Sequence, residues 1–356
     1  MTEFTFISNS RSRGDDQDHS IAIWLFIVAG LVFAMVLLGG VTRLTGSGLS
    51  IVDWEPIKGI FPPFSHNEWL LLFEKYKLFP EYNIVNPNMN LADFKEIYWF
   101  EWSHRLLGRI IGIVFLIPFL WFLFRRKINL ILGLKLALIL ILGALQALLG
   151  WYMVESGLVD KPDVSPYRLA AHLGLAIVIF SFIFWTALGL VNSRSYASSR
   201  QGIYSFLRIT MPFYLCLVFF TILSGAFLAG NDAGYGYNTF PLMDGKIIPP
   251  DIFSLTPTWR NFFENPPLVQ LDHRLIAELT AIIGIVVAIL GQTRRLPLSA
   301  RRIFLILGFA VLGQFLLGVS TLLLVVPIPL AAAHQAGAIL LLSIVIWSCH
   351  ELYRSR

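Results

Sequence analysis

The chain has 356 residues, of which 56% are hydrophobic and only 14% charged, and its mean hydropathy is +0.70. A soluble domain of this size has too little interior to hide that much apolar surface, so a water-soluble globular protein is excluded and an integral membrane protein is indicated. The net charge of +5 raises nucleic acid as a partner, but the placement of the basic residues argues for topology instead.

Eight apolar stretches are long enough to cross a bilayer, which takes about 20 residues each. They fall near 21–41, 105–124, 131–153, 168–191, 205–229, 274–290, 303–326 and 334–349. The last two are separated by VPIPLAAA, whose prolines break what is otherwise one over-long helix. The expected fold class is an all-α integral membrane protein of eight transmembrane helices. Residues 1–20 contain no apolar core of a signal peptide, and their acidic run is unlike an organelle transit peptide. They form a tail, and the first helix is expected to act as its own insertion signal. Basic residues gather in RRK (125–127), from Arg194 to Arg208, and at Arg294, Arg295, Arg301 and Arg302. The connections 154–167 and 327–333 carry only Lys161. By the positive-inside bias, both termini and the basic loops face the cytoplasm. A bacterial cytoplasmic (inner) membrane is the simplest home, with lipid as surroundings and no nucleic-acid partner. The two cysteines, Cys216 and Cys349, lie inside expected spans, which leaves no disulfide framework and no thiolate metal site.

The chain reads as one half repeated. Setting His104 on His273 sets Arg105 on Arg274; LQALLG (145–150) matches GQFLLG (313–318), and RLAAHLGLAI (168–177) matches LAAAHQAGAI (330–339). The expected organisation is an N-terminal four-helix bundle at 21–191 with an outer loop at 42–104. A linker at 192–204 follows, then a C-terminal bundle at 205–349 with an outer loop at 230–272. An even number of spans per half keeps both halves in one orientation, related by an axis along the membrane normal. Short helices are expected around HNEWLLLFEKYKLF and NLADFKEIYWF in the first loop, with Trp and Tyr residues suited to the headgroup layer.

Of the seven histidines, His19, His66 and His350 receive no role. The other four, His104, His172, His273 and His334, begin the even-numbered spans and so share one depth near the outer surface. Ionisable groups in a membrane are costly and tend to be functional, and four at matching repeat positions are read as metal ligands. Zinc needs a fuller protein ligand set than two imidazoles per half. Two imidazoles on opposing helices suit the axial positions of a haem iron. Gly108, Gly112, Ala277, Ala281, Ala176, Gly337 and Ala338 lie one or two turns beyond these histidines and serve either as walls for a flat macrocycle or as helix-packing contacts. Arg105 and Arg274 either snorkel toward headgroups or pair with propionates. Arg109, deeper in the span, should need an acidic partner.

The halves differ at a position that bears chemistry. Glu101 lies three residues before His104, on the same helix face, and its repeat mate is Gln270, which keeps size and hydrogen bonding but cannot take a proton. The half with the proton acceptor suits chemistry, and the other suits holding a redox cofactor.

The residues also carry a resemblance. TRLTGSGLS with the following W-x-P (42–56), EWSHRLLGR (101–109), AAHLGLA (170–176), YNTFPLMDG (237–245), NFFEN (261–265), QLDHRL (270–275) and AAAHQAGA (331–338) together resemble the haem A synthase family over 21–350. The resemblance implies oxidation of a methyl group of haem O to the formyl group of haem A, for cytochrome oxidase assembly. It implies substrate haem on His104 and His172, a haem b cofactor on His273 and His334, and Glu101 as the functional carboxylate. It also implies a handover from the enzyme that makes haem O, and leaves a homo-oligomer open. Some members carry a cysteine pair in the first outer loop; this chain has none there.

With both axial positions filled by histidine, direct oxygen activation at the substrate iron is hard to sustain. The expected course is two successive oxidations of the methyl through a gem-diol, with Glu101 managing the proton or the attacking water. Two rival readings are a dihaem electron-transfer cytochrome without porphyrin chemistry, and a transporter or pH-gated channel with a ring of histidines at its mouth.

Overall fold

The computed structural model describes residues 4–53, 58–157, 162–191 and 202–354, with side chains from His19 onward except those of Lys58 and Arg354. Trp54, Pro56, Lys161 and residues 192–201 of the linker lie outside the described residues. Ten α-helices occur among the described residues: α1 (Phe4–Leu44), α2 (His66–Tyr76), α3 (Leu91–Phe124), α4 (Leu130–Gly157), α5 (Pro166–Val191), α6 (Ile203–Gly230), α7 (Asn261–Glu264), α8 (Pro266–Leu290), α9 (Leu298–Leu323) and α10 (Ile328–Arg354). All except α2 and α7 are long and apolar enough to cross a membrane, which gives eight candidate spans.

Two of the expected boundaries move. α3 begins at Leu91, so NLADFKEIYWF is not a separate short helix but the outer turns of the span itself. Its start is fixed locally: the Asn90 side chain accepts from the backbone N–H groups of Ala92 and Asp93, and the Asp93 side chain accepts from the Asn90 N–H, a reciprocal cap. The four histidines consequently lie one or more turns inside their helices rather than at the first residue. The break between α9 and α10 is made by Val325 and Val326, both at positive φ (61° and 55°), just before Pro327 and Pro329. Branched side chains rarely adopt that conformation, so the tertiary setting imposes the turn.

The outer loop before α3 does form α2, capped by the reciprocal Ser65–Glu68 box. Its aromatic residues mostly pack on each other. Trp69, Phe73, Tyr76, Phe94 and Tyr98 form a small buried cluster between α2 and the outer turns of α3, while Trp99 remains exposed.

α1 packs against α3 and α5, and α4 against α5; α6 packs against α8 and α10, and α9 against both of those. The two sets of spans meet where α5 lies on α6 and α10 and where α1 lies on α10. One continuous apolar core runs through all eight spans. On α3 it takes Phe115, Phe119 and Phe122, and on α4 Leu132, Leu136 and Ile139. Between Glu101 and Phe115, and between Ile139 and Gly157, no residue is buried. The tightly packed part of these helices is therefore the end remote from His104.

Candidate functional site

The four candidate histidines come from α3 (His104), α5 (His172), α8 (His273) and α10 (His334). His104 and His172 lie within electrostatic reach of one another, as do His273 and His334. Each ring rests on a glycine of a neighbouring span. A methyl group built at Gly39, Gly150, Gly225 or Gly318 would stand 3.0, 2.9, 3.2 or 2.8 Å from the ring of His104, His172, His273 or His334 in turn. Any larger residue would push the imidazole away. Gly39 is on α1, Gly150 on α4, Gly225 on α6 and Gly318 on α9, so every pair bridges two spans.

Glutamines stand a turn before two of these glycines. Gln146 and Gln314 donate from Nε2 to the backbone carbonyls of His172 (3.0 Å) and His334 (2.9 Å), and lie 3.2 and 3.1 Å from the respective Nδ1 atoms. The Oε1 of each is buried without a hydrogen-bond partner. Ser224 lies 2.8 Å from Nδ1 of His273. Composition and hydropathy do not mark these backing residues. The match of LQALLG with GQFLLG is the signal for four of them, because it carries a glutamine and a glycine at i and i+4 in both halves.

The outer ends of α3 and α8 are built alike. Glu101 is buried and accepts on Oε1 from Arg105 Nε (3.0 Å) and Nη2 (2.6 Å). Its Oε2 accepts from the Ile51 N–H (2.7 Å) and the Ser50 hydroxyl (2.8 Å). Arg105 also donates to the carbonyls of Ile51 (2.7 Å) and Asp53 (3.1 Å). In the second set, Arg274 donates to the carbonyls of Tyr237 (2.6 Å) and Thr239 (2.9 Å) and, at 3.3 Å, to Gln270. Gln270 donates in turn to the carbonyls of Ala233 (2.9 Å) and Gly236 (2.6 Å). Each arginine thus ties its outer loop to its helix instead of reaching for the headgroups. The ion pair of Glu101 goes to Arg105, one turn away.

A second buried carboxylate stands nearby in the outer loop. Burial, reinforced by the Glu101 charge, pushes Glu81 up from 4.5 to about 8, while a hydrogen bond from Tyr76 opposes the shift. Oε2 of Glu81 is buried without a partner.

Among the described residues no group of three or more His, Cys, Asp or Glu side chains could hold a bare metal ion. Cys216 and Cys349 are free thiols. Imidazoles in pairs, each with a glycine cleared behind it and loosely filled helix walls beside His104 and His172, fit a ligand that brings its own equatorial donors, as an iron porphyrin does. The fold and site define a helical multi-span membrane protein with two pairs of imidazoles, each ring against a glycine of a neighbouring span.

The comparisons narrow that class. The chain belongs to the cytochrome oxidase assembly protein family (COX15-CtaA), whose family model matches residues 22–346. It is 54% identical over 334 residues to the haem A synthase of Nitrosospira multiformis, covering 94% of both chains. It is 50% identical to that of Nitrosomonas eutropha, covering 94% of this chain and 95% of the relative. To haem A synthase COX15 of Arabidopsis thaliana it is 48% identical, over 94% of this chain and 75% of the relative.

Proposed function

We propose that the chain is a haem A synthase, an oxidoreductase that converts haem O to haem A, and that its two sets of spans divide the work. Spans within 21–191 hold the substrate between His104 and His172, and spans within 205–349 hold haem b between His273 and His334. The observation that carries this division is the difference at one matched position of the outer ends: a carboxylate at Glu101 against an amide at Gln270, each joined to the arginine one turn on. The matching arginine clamps, histidines and glycines support a tandem repeat in one orientation, and the basic connections support cytoplasmic termini with the histidines toward the outer face. A bacterial cytoplasmic membrane is the proposed location, with haem O handed over by the enzyme that makes it.

Turning a ring methyl into a formyl group with water as oxygen source releases four electrons and four protons. Haem b, when bound, would supply one-electron redox chemistry and pass those four electrons singly to an external electron acceptor. The chain's own residues hold the porphyrin iron from both faces and manage the protons. Glu101 is the proton-managing group. Arg105 holds Oε1 through two hydrogen bonds, and Oε2 becomes available when the Ser50 hydroxyl turns from it (2.8 Å) to the carbonyl of Ile97, its other acceptor at 3.4 Å. Oε2 can then take a proton lost from the methyl or from the attacking water.

Glu101→Gln is expected to retain bound haem while haem A output falls at least 100-fold, in line with loss of a general base. Pigment extraction and mass analysis of the purified variant, supplied with haem O, reads both quantities; normal haem A output removes Glu101 from the mechanism. Labelled water against labelled dioxygen identifies the oxygen source.

A further inference from the structure

Ser224 is the one hydroxyl among the described hydrogen-bond partners of the four imidazoles; the others are the amide nitrogens of Gln146 and Gln314. A serine hydroxyl has one proton, and the carbonyl of Thr221, 2.8 Å away and one turn back on α6, is an acceptor for it. With that proton on the Thr221 carbonyl, the oxygen is free to accept an N–H from Nδ1 of His273 across their 2.8 Å contact. That arrangement leaves Nε2 as the bare nitrogen, the one able to bind a metal. The hydrogen bond also sets the ring's rotation, because turning it half-way round would put a carbon where Nδ1 now donates.

The matching place on α1 has no such device. Gly39 lies under His104 as Gly225 lies under His273, and the residue before it is Leu38 where the second set has Ser224. His104 is turned the other way, with Nε2 nearest to Gly39 rather than Cε1, and its ring makes no hydrogen bond to a described residue. One turn deeper the contrast repeats. Thr221 meets Thr280 across the α6–α8 seam at 2.6 Å, whereas the matching residues on α1 and α3 are Met35 and Ile111.

We propose that Ser224 is a positioning residue for the haem b ligand. It pins His273 with Nε2 presented to iron and, by accepting from Nδ1, makes the imidazole a stronger donor that favours the oxidised iron. The unpinned His104 belongs to the site whose occupant must come and go. This rests on the reading above that haem b is held by His273 and His334.

The test is a redox titration and low-temperature electron paramagnetic resonance spectrum of the full-length protein with haem b bound, for Ser224→Thr and Ser224→Val. These two share a shape and differ by one hydroxyl. Ser224→Val is expected to shift the haem b midpoint potential upward and change the g-values, or to release haem b, while Ser224→Thr stays close to the parent. Equal potentials in all three proteins, or equal shifts or equal haem loss in both variants, overturn the proposal. His273→Ala is measured alongside. Haem b signals surviving that variant overturn the underlying assignment, and the pin with it; signals lost with His273→Ala but indifferent to Ser224→Val overturn the pin alone.

Discussion

Gly318 and Gly313 are on the same helix, α9, and in opposite situations. A methyl group at Gly318 would stand 2.8 Å from Cε1 of His334, whereas one at Gly313 meets nothing within 4 Å. Both substitutions favour the helix by about 1 kcal/mol through propensity, so the difference between them isolates the contact with the ring. Gly318→Ala is expected to lower haem b content several-fold, with Gly313→Ala near the parent, read as haem per protein from a pyridine haemochrome spectrum. The same scale explains why Glu101 and Gln270 are not interchangeable. The loop beside Glu101 offers donors, Ser50 and the Ile51 N–H, while the loop beside Gln270 offers the carbonyls of Ala233 and Gly236. Each side chain is the complement of its own loop.

Helix α3 shows what an element adds. Its outer turns carry Asp93, Lys95 and Glu96, which end the apolar run, yet the helix continues because Asn90 caps it and Phe94 and Tyr98 pack against α2. Hydropathy measures suitability for lipid, not helicity, so the sequence placed the boundary too late. The packing of α2 on α3 accompanies the burial of Glu81, and this has a pH consequence. A carboxyl raised from 4.5 to about 8 binds its proton more tightly in the folded loop than in the unfolded one. Its contribution to stability is therefore fully present below pH 4.5 and is lost as the pH rises through about 8. Protection of the α2 amides in hydrogen exchange is expected to weaken across that window in the parent and much less in Glu81→Gln. A parent profile that is flat or runs the other way removes this role for Glu81.

The two sets of spans are joined by specific contacts as well as by apolar packing. Gln335 on α10 donates to the Val36 carbonyl of α1 at 2.9 Å, and its side chain fills the space over Gly40, where a methyl group would be 1.6 Å from Oε1. Arg43 pairs with Asp232 at 3.2 Å between the outer ends of α1 and α6. The proposed orientation of the whole molecule is tested by cysteine labelling in a Cys216→Ala, Cys349→Ala background. An impermeant maleimide applied outside intact cells or spheroplasts is expected to modify Ile247→Cys in the second outer loop. Arg125→Cys, in the RRK connection, should react only after lysis. The reverse pattern would invert the topology and place the histidines at the cytoplasmic face.

The amino-acid sequence by itself determined that the chain enters a membrane, how many times it can cross, which histidines align when one half is set on the other, and where the carboxylate stands against the amide. These are properties of composition, period and alignment, which are written along the chain. What only the tertiary structure decided is which neighbours those residues keep. Arg105 is committed to Glu101 and loop carbonyls, each imidazole leans on a glycine from another span, and one of them is pinned by Ser224. Such partners are brought together by the crossing of helices whose contact positions depend on packing angle and depth, and lipid-compatible side chains on every face leave those quantities unwritten in the hydropathy of any single span.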